Sequence, residues 1–130
     1  MAGDPITVVL VEDNDVFRES LELLLGTVPD LKVAAAVPDG RRALDVCADV
    51  QPDVVLMDYR LPELDGVETT AAIGKACPDT AVVVLTAVAE SEEIDALYGA
   101  GAVACLTKDR ELEEIVGAVR DAAGRGAAFS

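Results

Sequence analysis

The chain has 130 residues, enough for one domain of ordinary size and too few for two. Hydrophobic residues make up 52% and charged residues 27%, with a mean hydropathy of +0.34, so the chain can bury a core and does not read as disordered. Ten Lys and Arg against 25 Asp and Glu leave a formal charge of −15 with no His, which argues against nucleic-acid or anionic-membrane binding by this piece and excludes imidazole catalysis and His-ligated metals.

Five short aliphatic runs alternate with helical periodicity. The first, Ile6 to Val11, precedes a helix whose apolar face is Phe17, Leu21, Leu24 and Val28, stopped by Pro29. Val33 to Val37 leads through Pro38, Asp39 and Gly40, a turn and helix start, to a face of Ala43, Val46, Cys47 and Val50 before Pro52. Val54 to Met57 is followed by a weaker face of Val67, Thr70, Ala71 and Gly74 ending near Pro78. Ala81 to Leu85 precedes a short helix with Ile94, Leu97 and Tyr98, closed at Gly99 and Gly101. Val103 to Leu106 precedes the last, with Leu112, Ile115, Val116 and Val119.

Apolar strands alternating with amphipathic helices predict an α/β fold: a five-stranded parallel sheet, doubly wound as (βα)5 in the flavodoxin-like order 2-1-3-4-5. Residues 1–123 form the domain on this reading, and 124–130 lose periodicity and read as the start of a linker or a frayed end. Cys47, Cys77 and Cys105 have no metal-type spacing and read as reduced core thiols. The apolar runs fall far short of the ~20 residues that cross a bilayer, and the first fifteen residues do not resemble a secretory signal, so a cytoplasmic location is expected.

In an open parallel sheet, ligands bind beyond the carboxyl ends of the strands. The predicted strands end there in Glu12 and Asp13, Asp58, Thr86 and Lys108. Each has an ordinary structural alternative; Asp13, for instance, fits a cap for the first helix. Together they place three carboxylates on one rim, where a close pair repels by up to about 4 kcal/mol at 4 Å and an effective dielectric near 20. Lys108 offsets one charge, and an all-oxygen set without His favours Mg²⁺ or Mn²⁺ for the rest. Asp58 is therefore a candidate nucleophile for phosphoryl transfer.

The motifs VVLVEDND, VVLMDYRLPELDG, VVVLTA and CLTKD, each at the end of its own strand, resemble those of response-regulator receiver domains of bacterial two-component signalling. The resemblance implies that Asp58 accepts a phosphoryl group from a phosphohistidine on a sensor histidine kinase, in a self-catalysed switch rather than an enzyme. It implies Mg²⁺ held by Asp13, Asp58 and the backbone carbonyl of Arg60, with Glu12 assisting directly or through water. Thr86 would hydrogen-bond the phosphoryl group, Lys108 would pair with it, and Pro62 and Gly66 would shape the loop after the third strand through their fixed and permissive backbone angles. DYRLPELDG, the Lys108-Asp109 pair and ELEEIVGAVRDAAGRG are similar to the LuxR-type subfamily, whose output is a carboxyl-terminal helix-turn-helix domain. This implies transcription regulation, homodimerisation on phosphorylation, DNA contact only through a further domain and no membrane contact. A stand-alone receiver is the other reading of the same residues.

The chain departs from the family pattern at two positions. Cys105 stands three residues before the lysine, where many receivers carry the aromatic of the switch, so output is expected through the 87–93 loop and Tyr98 instead. Asp109 stands where the family often has a cis proline, and a non-proline cis bond costs about 2.5–4 kcal/mol. Competing functions fit less well. A haloacid-dehalogenase-like phosphatase needs an Asp where Arg60 stands, and in a flavodoxin-like module the loop after the first strand would carry Glu12, Asp13 and Asp15, which repel a phosphate. A phosphorylation-independent interaction module would not need the complete acceptor set.

Overall fold

The computed structural model describes residues 4–61, 65–87 and 90–124, in which five βα units follow one another. Strands β1 (Ile6–Val11), β2 (Leu31–Val37), β3 (Val54–Asp58), β4 (Ala81–Thr86) and β5 (Ala104–Thr107) form one parallel sheet in the order β2-β1-β3-β4-β5. Helices α1 (Asp15–Leu25), α2 (Gly40–Val50), α3 (Gly66–Ala76), α4 (Ser91–Ala100) and α5 (Leu112–Ala122) connect and follow them. The architecture and strand order are those expected from the sequence.

Side chains alternate along a strand, so the central strands feed two cores. Ile6, Val8, Leu10, Leu56 and Leu85 pack beneath α1 and α5, which supply Leu21, Leu25, Ile115, Val116 and Val119. Val9, Val11, Val55, Met57 and Val84 pack on the opposite face with Ala43, Cys47, Ile73 and Leu97 from α2, α3 and α4. Burial on both faces accounts for the unbroken apolar run of β3, buried throughout. Cys47 and Cys77 are buried free thiols, whereas Cys105 is half-buried on edge strand β5.

Several boundaries differ from the sequence reading. β3, β4 and β5 each run one residue further, to Asp58, Thr86 and Thr107, so all three of these polar residues belong to the sheet itself. β2 starts at Leu31, because an edge strand tolerates the exposed Lys32. α1 stops at Leu25 rather than at Pro29; Leu24 is left 47% exposed, and Val28 reaches the core from the following turn. α3 buries Gly66, Thr69, Thr70 and Ile73, and Gly74 faces solvent. Tyr98 is 47% exposed while its neighbour Leu97 is buried.

Gly66 serves differently from the expectation. It has no positive φ, so permissive angles are not what the position needs. A Cβ there would lie 2.9 Å from both the Cα and the carbonyl oxygen of Tyr59. The position therefore requires the absence of a side chain, which lets α3 start directly against the backbone beside Asp58. Its N–H donates to Tyr59 O at 2.8 Å, and Asp65 and Glu68 close a capping box around the first turn. Pro62 lies outside the described residues, as do Val88 and Ala89 of the 87–93 loop and residues 125–130 of the expected linker.

Candidate functional site

The ends of β1, β3 and β4 meet the residues that follow β5 at the carboxyl edge of the sheet. Pairing of Leu10 with Leu56, and of Asp58 with Leu85, sets the heights of the three inner strands. Glu12 follows directly on β1 and is held by backbone: its N–H donates to Val37 O at 3.0 Å. Asn14, not Asp13, caps α1, its Oδ1 accepting from the Phe17 N–H at 2.9 Å. Asp13 is thereby left exposed and uncommitted to the helix, next to two buried carboxylates.

Lys108 follows β5, and its N–H donates to Thr86 O at 2.8 Å. Its Nζ lies 2.6 Å from Glu12 Oε1 and 3.3 Å from Asp58 Oδ2, and 4.7 Å from the centre of the Phe17 ring. Glu12 Oε2 also accepts the Asn14 N–H at 2.9 Å, and Asp58 Oδ1 accepts the Arg60 N–H at 3.4 Å. One carboxylate oxygen from each of Glu12, Asp13 and Asp58 lies within 4.8 Å of the others. The structure thus brings together Glu12, Asp13, Asp58 and Lys108, with Thr86 buried at the adjoining strand end.

The electrostatics follow from burial. Glu12 is 2% exposed and Asp58 6%. Loss of water pushes both carboxyls above their usual range, and the mutual charges of the cluster add to this, while Lys108 and backbone N–H donors oppose it. For Lys108, burial pulls downward, but the hydrogen bond to Glu12 and the charges of Asp58 and Glu12 outweigh it, and its ammonium is held above the usual lysine range. A single ammonium shared by two buried carboxylates, with a third carboxylate alongside, leaves the cluster short of positive charge. Hard oxygen donors with that deficit fit a divalent cation such as Mg²⁺ or Mn²⁺.

A family model, the response regulator receiver domain, matches residues 8–120. The chain belongs to this family. The uncharacterized transcriptional regulatory protein YhcZ of Bacillus subtilis is 36% identical over 109 residues, covering 84% of this chain and 51% of YhcZ. The chain thus spans about half the length of that relative. Among solved structures, a signal receiver domain of NarL from Mycobacterium tuberculosis superposes with a TM-score of 0.89 at 33% identity, covering 93% of this chain and 98% of that one. The receiver domain of sensor histidine kinase PA1611 from Pseudomonas aeruginosa, described with a magnesium ion in its active-site cleft, has a TM-score of 0.82 at 29% identity and covers 92% and 98%.

Against the receiver pattern, the two departures have structural counterparts. Cys105 pairs with Val84 in the sheet, and burial raises its thiol; a hydrogen bond with Tyr98 of α4 opposes that rise. The Lys108-Asp109 peptide is trans, and Asp109 instead accepts from Thr107 Oγ1 at 2.5 Å. Three site residues escaped the sequence reading. Asn14 competes with Asp13 as a cap on equal terms, and only the geometry decides between them. Arg18 donates from Nη1 to Glu12 O at 2.8 Å and from Nη2 to Asp15 at 2.7 Å, bracing the loop that carries the acidic pair. Phe17 read as a core residue, yet one face of its ring meets Lys108. The spacing Asn14-x-x-Phe17-Arg18, a cap followed by its third and fourth helical residues, is the available signal.

Proposed function

We propose that this receiver accepts a phosphoryl group on Asp58 and acts as a switch that catalyses its own phosphorylation and dephosphorylation. The observation that carries this is the sharing of Lys108 between Glu12 and Asp58 beside the exposed Asp13. Asp58 is the carboxylate at the end of the central strand, and an oxygen of it would attack phosphorus as the bond to the donor nitrogen of a phosphohistidine breaks. Lys108 would stay beside the incoming oxygens, and the Thr86 hydroxyl would hydrogen-bond one of them. Glu12, Asp13, Asp58 and the Arg60 carbonyl would hold Mg²⁺ or Mn²⁺, a reading supported by the oxygen-only donor set and by the ion described for PA1611. A bound divalent ion supplies neutralisation of phosphoryl charge.

The donor on this reading is a sensor histidine kinase, and the receiver itself works in the cytoplasm. The output is transcriptional, through phosphorylation-dependent pairing of receivers and a LuxR-type DNA-binding domain. The name of YhcZ and the chain's coverage of half its length support that output. With Cys105 in place of an aromatic, the signal leaves through the strand β4 to helix α4 connection and Tyr98. Incubation with acetyl phosphate and Mg²⁺, followed by intact-mass and peptide mass spectrometry, tests the assignment. One phosphoryl group on Asp58, absent in Asp58→Asn, is the expected result; labelling of another residue in that variant overturns it.

A further inference from the structure

We infer that Phe17 is a positioning residue for Lys108, its ring face keeping the ammonium beside Asp58 when a divalent cation competes for the carboxylates that otherwise hold it. The inference rests on the roles proposed above for Asp58 and Lys108. An ammonium has three N–H donors. Here its neighbours are Glu12 at 2.6 Å, Asp58 at 3.3 Å and the Phe17 ring at 4.7 Å. The two carboxylates belong to the set that fits a metal, so each oxygen drawn to the ion is one that Lys108 must share or release. The ring differs in kind. Its quadrupole attracts a cation, yet it carries no net charge and no lone pair for a hard ion. It remains a partner for Lys108 whatever the carboxylates do.

The ring is well fixed for this purpose. Phe17 is the third residue of α1, and its N–H is bound to the Asn14 cap at 2.9 Å. The side chain is half-buried and packs against the core formed with α5. A cavity of about 120 Å³ is lined by Phe17, Leu21, Leu24, Lys108 and Leu112. Lys108 is only 21% exposed, so the ring acts on a partly dehydrated cation, the condition that strengthens such contacts.

The test compares Phe17→Leu, which keeps apolar volume without a π face, with Phe17→Tyr, which keeps the face, using acetyl phosphate as donor. A small donor needs no protein docking on α1, so any contribution of Phe17 to partner binding drops out. Phe17→Leu should slow labelling of Asp58 at saturating Mg²⁺ by roughly three- to tenfold. Mg²⁺ affinity should stay within about twofold, and Phe17→Tyr should restore the rate. In the NMR spectrum, the Lys108 ε-methylene protons should lose their ring-current shift in Phe17→Leu, with or without Mg²⁺. A Phe17→Leu protein that labels at the parental rate, or unmoved Lys108 resonances, would overturn the inference. Lys108→Ala separates the two layers. If that variant is slow and Phe17→Leu is not, only the positioning role falls; if Lys108→Ala labels at the parental rate, the proposed role of Lys108 falls with it.

Discussion

Replacing Asp58 by Asn should raise the stability of the metal-free domain at neutral pH. At an effective dielectric near 20, the pair with Lys108 at 3.3 Å contributes about 5 kcal/mol of attraction. Repulsion from Glu12 within 4.8 Å offsets about 3.5 kcal/mol of it, and removing a carboxylate from water costs several kcal/mol more. The ionised form therefore opposes folding by about 1–3 kcal/mol, in keeping with a carboxyl raised chiefly by burial. A neutral amide of the same shape removes most of that cost, and the melting temperature should rise by roughly 3–10 °C. The pH dependence has a definite sign. A carboxyl whose folded pKa is raised contributes stability below its unfolded value, near 3.8, and loses it as pH rises through the folded value. The advantage of Asp58→Asn should thus be small near pH 4 and grow as pH rises. Mg²⁺ should narrow it, since an ion bound by the native state at a hundred times its Kd stabilises the parent by about 2.7 kcal/mol. Melting curves at several pH values, with EDTA or Mg²⁺, read all of this. A metal-free Asp58→Asn protein no more stable than the parent at pH 7, or an advantage that shrinks with rising pH, would refute the reasoning.

Lys108→Ala should act in the opposite direction, costing about 3–5 kcal/mol at pH 7 because Glu12 and Asp58 are left buried without their cation. Since both carboxyls are raised, urea denaturation should show that loss shrinking as pH falls from 7 toward 5. Gly66→Ala should destabilise the fold by about 1–3 kcal/mol, because its Cβ meets Tyr59 backbone rather than a movable side chain, and should slow acetyl-phosphate labelling by displacing the residue after Asp58. Cys105→Ala should leave phosphorylation-dependent dimerisation in analytical ultracentrifugation nearly unchanged, whereas Thr86→Ala weakens it at equal labelling; loss of dimerisation in a fully labelled Cys105→Ala protein would make residue 105 part of the switch.

What the sequence made legible was whatever chain order dictates. Once five apolar runs alternate with five helical faces, the right-handed crossovers leave few topologies, and the residues ending the strands must share a rim. Glu12, Asp13, Asp58, Thr86 and Lys108 were readable for that reason. Phe17 and Arg18 were not, because their partners are set by how α1 lies across the sheet. Phe17 satisfies helical periodicity as a core residue and meets Lys108 from a distant segment, a contact that no local pattern encodes. Arg18 reads as one more solvated charge until its guanidinium is seen on the Glu12 carbonyl. Leu24 misled in the other direction: it shares the periodicity of Leu21, but the helix ends at Leu25, which takes the buried place. Gly66 was legible as necessary but not as to why, since a close backbone approach and a positive φ both demand glycine.

The two buried carboxylates are not equivalent, and the difference bears on which of them is proposed as the nucleophile. Glu12 has one oxygen at 2.6 Å from Lys108 and the other on the Asn14 N–H at 2.9 Å, so both are engaged by short bonds. Asp58 has 3.3 Å to the same ammonium and 3.4 Å to the Arg60 N–H, both longer. Strong hydrogen bonds lower the energy of the lone pairs they use, and long ones leave them available. Asp58 thus combines the burial that strips water from a nucleophile with the weaker hold on its oxygens. Glu12 is the nearer of the two partners of Lys108. The local deficit of positive charge is tolerated because stability comes from the two apolar cores on either side of the sheet, in which β3 is buried along its whole length up to the residue proposed to carry the phosphoryl group.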